Sequence, residues 1–226
     1  MTITKFVNNP LIKEFNGLKR FFRKYETDVS KERILDFKHF TSMINSSGDK
    51  VAFDLLGSVN FGQAERYSDA DVIIYLDCDE PGITECGAES CEKYKLYKKL
   101  LMNTLVYEYA NNTYKVEFVD CINLRQLERD IIDTKTDSFT IVKFAFYRSI
   151  CRGINRSVLR YYENLLMNNE ELCDAIETAL EDCFRGLTKT SQHSYSFRKY
   201  MERLEHNKGF KVPESVAQKV KSYLWK

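Results

Sequence analysis

Two carboxylates stand at the head of an apolar run in GSVNFGQAERYSDADVIIYL, residues 57–76, and they constrain this chain more than any other feature. Asp69 and Asp71 flank Ala70, and Val72-Ile73-Ile74-Tyr75-Leu76 follows directly. A run that is apolar at every position reads as a central strand covered on both faces. Side chains at i and i+2 of a strand share a face, so the two aspartates look the same way, about 7 Å apart. Unpaired anions in that position repel each other and resist desolvation. Small, hard divalent cations prefer carboxylate oxygen, and a pair of them can clamp a phosphoryl transfer. Asp69 and Asp71 are therefore candidate metal ligands, and bound cations would remove the repulsion.

The residues upstream fit the same chemistry. KVAFDLLG reads as a strand over 51–56 ended by Gly57, with a short helix over 59–65 after it. Backbone N–H groups at a helix start point outward and favour phosphate. Gly57 would let a phosphate approach the main chain, and the Ser58 hydroxyl can donate to it or cap the helix. Gly62 would let that helix pack closely on the sheet. Ser68 either joins the site or braces the turn before the strand.

Elsewhere the spacing predicts helices over 10–25 and, capped by Ser30, over a second segment ending at Ser46-Ser47-Gly48. Residues 77–91 carry Pro81, Gly82, Gly87 and several acids and read as a loop; a helix over 92–110 follows. TYKVEFVDCI alternates, with Tyr114, Val116 and Phe118 on one face and Lys115, Glu117 and Val119 on the other. Beyond residue 124 every segment reads helical, with Ser138 as a capping candidate. The fold class is α+β: a small mixed β-sheet with flanking helices, followed by an all-helical C-terminal portion.

Composition excludes more than it identifies. Among 226 residues, 34 bases nearly cancel 33 acids, which argues against a nucleic-acid coat protein, an acidic tail or a long-RNA partner. The 7 cysteines form no CxxC pair, so zinc spacing is absent and reduced thiols are expected. His39, His193 and His206 have no metal-ligand spacing. No signal-peptide core or membrane-length apolar run occurs, so a soluble cytoplasmic protein with no membrane partner is expected.

Gly57-Ser58, three residues, Gly62, five residues, Ser68-Asp69-x-Asp71 and an apolar strand together resemble the signature of the DNA polymerase beta-like nucleotidyltransferase superfamily. The likeness covers 51–76 and extends weakly to about 132. It implies a nucleotidyltransferase domain over 1–136, with two N-terminal helices, and a helical domain over 137–226. It implies transfer of a nucleoside monophosphate from a nucleoside triphosphate, such as ATP, to a hydroxyl acceptor, with pyrophosphate leaving. The acceptor would be a small molecule, a nucleotide, a protein or an RNA end. Two Mg2+ ions, or Mn2+, would be held by Asp69, Asp71 and a third carboxylate on a later strand. Glu117 and Asp120 compete for that role; a regular strand turns Asp120 to the opposite face, which selects Glu117. Gly57, Ser58 and Ser68 would bind the nucleotide, and Lys143 would contact the triphosphate. Arg148, Arg152, Arg156 and Arg160 recur every four residues, as a stripe toward the triphosphate or nucleic acid, or as a solvated face broken near Gly153. The alternative function is a catalytically silent nucleotide-binding regulator or partner-binding module of the same fold.

Overall fold

The computed structural model of this chain describes residues 9–78, 91–103 and 114–224. Helix α1 (Pro10–Arg23) starts on a proline that presets its first turn, and the Asn9 side chain accepts from the Leu11 N–H at 3.0 Å. Its buried stripe is Leu11, Phe15, Leu18 and Phe22, at helical spacing. Helix α2 (Asp28–Ser46) is capped by Thr27, not by Ser30 as expected. Ser30 sits one turn in, and its hydroxyl accepts from the Ala64 N–H at 2.9 Å, so it fixes the loop after the next helix instead.

Strand β1 (Val51–Leu55) leads into α3 (Gly57–Phe61), which begins two residues earlier than the pattern suggested. Gly62 ends it with φ 72°, and a methyl group there would press on the Glu26 side chain. Its glycine therefore serves the left-handed cap rather than helix-on-sheet packing. Strand β2 (Ala70–Leu76), helix α4 (Glu92–Asn103) and strand β3 (Val116–Asn123) follow. Residues 79–90, the end of the helix expected to run to 110, and Trp225 lie outside the described residues. Then come α5 (Leu124–Ile132), α6 (Phe139–Ile150), β4 (Arg152–Ile154), α7 (Arg156–Met167), α8 (Glu170–Thr188), α9 (Ser191–Lys208) and α10 (Glu214–Leu224).

The sheet order is β3-β2-β1-β4, with β1 antiparallel to both β2 and β4 and β2 parallel to β3. Strand β4 corrects the expectation that everything beyond 124 is helical. It is three residues long, too short to carry a period of two, and exists because Phe53 pairs with Ile154 and Leu55 with Arg152. The same break divides the arginine stripe: Arg148 lies on α6, Arg152 on β4, and Arg156 and Arg160 on α7.

Both faces of the sheet are covered, as the apolar run 72–76 requires. Val72 and Ile74 pack with Phe37 and Phe40 of α2 and Leu101 of α4. Ile73 and Tyr75 pack with Phe22 of α1, Phe144 of α6, Ile176 of α8 and Tyr223 of α10, in one continuous apolar cluster. Among the described residues the cysteines form no disulfide; the buried Cys78 and Cys91 sulfurs lie 3.9 Å apart. Among the described residues, no helix is long and apolar enough to cross a membrane.

A buried ionic network ties the sheet to the helices behind it. Asp54 of β1 is fully buried and takes the Arg148 guanidinium on one oxygen and the Tyr75 hydroxyl, at 2.5 Å, on the other. Arg148 also donates to Glu163 of α7 at 2.7 Å. Burial opposes the Arg148 charge, but Asp54, Tyr75 and Glu163 outweigh it and hold the guanidinium ionised. Removing one member strands the others without partners. Asp54→Ala is expected to cost about 3–5 kcal/mol in urea unfolding, and a loss under 1 kcal/mol would show that the network contributes little.

Candidate functional site

The N-terminal ends of β2 and β3 and the C-terminal end of β1 meet at one edge of the fold. Asp71 and Glu117 are direct register partners across the parallel β2–β3 ladder, and neighbouring strands lie about 4.8 Å apart. Asp69 precedes β2 on the exposed side, while Asp71 is half-buried. Burial first, then the Glu117 and Asp69 charges, push the Asp71 carboxyl up to about 6, with Lys115 opposing. These three carboxylates are thus electrostatically one cluster.

Gly57 lies against them. Its φ is 54°, and a methyl group built on it would collide with the Asp71 carboxylate. The glycine therefore gives room to Asp71 as well as adopting a backbone conformation other residues resist. The Leu56 N–H donates to the Asp71 carbonyl at 2.9 Å, which fixes the strand end to the turn into α3. Ser58 follows in the first turn of α3, half-buried.

Other expected site residues are placed differently. The Ser68 hydroxyl accepts from the Glu65 N–H at 2.9 Å, so it braces the turn. Asp120 shares a face with Glu117, contrary to the regular-strand argument. The β3 register shifts between Val72 and Ile73, so Glu117 pairs with Asp71 and Asp120 with Ile73. Asp71 and Ile73 point the same way, and the bulge at Val119 has undone the alternation. What separates the two acids is their partners. Asp120 is held by the Lys143 ammonium at 3.2 Å and the Tyr147 hydroxyl at 2.8 Å. Lys143 lies over the Phe139 ring, 5.0 Å from its centre, so its charge serves Asp120. Glu117 is exposed, and its carboxylate takes the Lys115 ammonium at 3.0 Å.

The most consequential residue the motif did not reveal is Arg33. It is buried on α2, and its guanidinium donates to the carbonyls of Glu65, Arg66, Ser68 and Asp69. It also stacks on the Tyr114 ring, 4.3 Å from the centre, just before β3. One side chain thus fixes the entry to β2 and rests on the entry to β3. From the other side, Arg203 of α9 donates to the Gln63 carbonyl and to Glu65 at 2.8 Å. A signal for Arg33 existed: it occupies a helical stripe with Ser30, Phe37 and Ile44, where an arginine must find acceptors.

Carboxylate oxygens are the donor set that hard divalent ions prefer. Among the described residues, no group of three His, Cys, Asp or Glu side chains is drawn together closely enough to hold an ion as placed. Glu117 is turned to the Lys115 ammonium. Comparisons with protein-family models, curated proteins and solved structures find no match to this chain.

The carboxylate cluster sets a testable stability balance. Asp71 titrates near 6 in the fold against 3.8 ordinarily, so the folded state binds its proton more tightly than the unfolded chain. Its penalty is absent below pH 3.8, grows as pH rises to about 6, and is constant above. Asp71→Asn is expected to stabilise the protein by up to about 3 kcal/mol at pH 7 and by little at pH 4. Urea unfolding at the two pH values checks this, and equal effects would refute it. Gly57→Ala is expected to lower stability by more than about 1 kcal/mol, read from the same transitions.

Proposed function

We propose that this chain is a metal-dependent nucleotidyltransferase of the DNA polymerase beta-like kind. The observation that carries the reading is the pairing of Asp71 with Glu117 beside Asp69 and the positive-φ Gly57. Such a cluster costs stability, and carboxylates perturbed in this way gather at functional sites.

Asp69 and Asp71 would hold the ions, with Glu117 completing the site. Two Mg2+ ions, when bound, supply charge neutralisation along the triphosphate and at the attacking and leaving oxygens. The N–H groups of the Gly57–Ser58 turn and the Ser58 hydroxyl would hold the β- and γ-phosphates. The acceptor oxygen forms a bond to the α-phosphorus, the bond from that phosphorus to the bridging oxygen breaks, and pyrophosphate leaves. Glu117, exposed at the edge, would take the acceptor's proton. Arg33 would act through the loop, by keeping Asp69 and Asp71 in register; it is a positioning residue. The chain supplies geometry and charge placement more than covalent chemistry.

The experiment is to incubate the protein with each labelled nucleoside triphosphate, magnesium and a cell extract, and to identify what becomes labelled. Asp71→Asn is expected to lower transfer at least 1,000-fold with the fold intact. Retained turnover would overturn the assignment. Magnesium-dependent nucleotide binding with no pyrophosphate release would favour a silent nucleotide-binding module instead. Because Asp71 must lose its proton to serve, the acid limb of the pH–rate profile is expected at or below about 6.

A further inference from the structure

A second charged feature lies at the opposite edge of the sheet, where β4 pairs with β1. A cavity of about 370 Å³ opens there between α1, the α6–β4 junction and the first turn of α7. Lys19, Arg20, Arg23, Arg148, Arg152 and Arg156 line it, and no acidic side chain does. None of its lining residues belongs to the carboxylate cluster.

The cations are arranged in depth. Arg148 forms the floor, held by Asp54 and Glu163. Gly153 leaves it room, since a methyl group there would come within 2.9 Å of the Arg148 guanidinium and of the Arg156 side chain. Arg152 is anchored by Glu26. Lys19 and Arg23 donate to neutral oxygens: Lys19 to the Ile150 carbonyl at 2.5 Å, and Arg23 to the Asn60 carbonyl and side chain at 2.6 and 2.8 Å. Arg20 and Arg156 are exposed at the rim.

Cations crowded in this way oppose one another. Burial and the Arg23 charge pull the Lys19 ammonium down to about 7. Burial and Arg152 lower Arg23 to about 10. An anion among them would relieve both. Arginine forks match phosphate oxygens in pairs, and several guanidinium groups lining one concavity suit a chain of phosphoryl groups. The volume falls in the range of small-molecule sites, and a concavity of this size fits a compact ligand better than a long nucleic acid.

The geometry points to a binding site for a small oligophosphate, free or carried by a nucleotide, in the cavity walled by α1, β4 and the start of α7. This site does not depend on the nucleotidyltransferase reading.

The test is titration calorimetry on the full chain in EDTA, at fixed ionic strength. Sodium tripolyphosphate is the probe, with inorganic phosphate, ATP and adenosine in parallel. Saturable binding of tripolyphosphate is expected, at least tenfold tighter than phosphate, with adenosine silent. ATP at equal or greater affinity assigns the ligand to the nucleotide form; weaker ATP assigns it to the free form. Arg20→Glu combined with Arg156→Glu, both at the exposed rim, is expected to weaken tripolyphosphate at least tenfold. Arg160→Glu, outside the cavity on the same helix, is expected to change it less than twofold. Asp71→Asn is expected to leave it unchanged, which separates this site from the carboxylate cluster. No saturable binding, an equal loss in Arg160→Glu, or tighter binding of a single-stranded RNA oligomer than of tripolyphosphate would overturn the proposal.

Discussion

The buried Asp54–Arg148 pair is the interaction on which both ends of this molecule depend. Asp54 lies on β1 at zero exposure, and Arg148 reaches it from the last turn of α6. Tyr75 of β2 donates to the same aspartate, and Glu163 of α7 takes the other side of the guanidinium. Two strands and two helices are therefore fixed by one network in a low-dielectric interior. A single unpaired charge there would be far more costly than the pair is stabilising. That asymmetry gives specificity of packing: α6 and α7 have one acceptable seat on the sheet. It also explains Gly153, since a side chain at that point of β4 would strike the guanidinium.

The carboxylate edge follows a different balance. The apolar run of β2 supplies the stability, and the strand entrance gives some of it back. Asp71 is half-buried beside Glu117 and Asp69, a position that favours its protonated form. The fold contains this strain by over-determining the backbone around it. Arg33 holds the Glu65, Arg66, Ser68 and Asp69 carbonyls, the Leu56 N–H holds the Asp71 carbonyl, and the Ala70 N–H donates to the Lys115 carbonyl at 2.9 Å. These bonds fix the main chain that carries the anions. Preorganisation of that kind is what the proposed site would require.

Much of this was legible in the sequence, and the gaps have physical causes. The doubly apolar run at 72–76 told of a covered central strand, and glycine followed by Ser58 marked the turn into α3. The i, i+2 rule does not reach Asp69, which lies before β2 begins, although its charge acts on Asp71. It failed at Asp120, because a bulge is a property of two strands and one chain segment carries no sign of it. Strand β4 escaped for the same reason: Arg152–Ile154 is a strand only because β1 is beside it. Thr27 replaced Ser30 as a cap because Ser30 was claimed by a loop more than 30 residues away. Lys143 was drawn to Asp120 by α6 packing, which no local pattern encodes. Long-range pairing, rather than propensity, accounts for each of these differences.

Helix α3 connects the two charged edges. Its start, Gly57, abuts the Asp71 carboxylate. One turn later Asn60 accepts from Arg23 on its backbone and side-chain oxygens and donates to the Ile150 carbonyl at 2.9 Å. Lys19 donates to that same Ile150 carbonyl. The five-residue helix α3 thus touches Arg23 of the cationic cavity near one end and Asp71 of the carboxylate cluster at the other. One short helix thus lies between two edges of opposite charge, a cationic cavity and a carboxylate cluster.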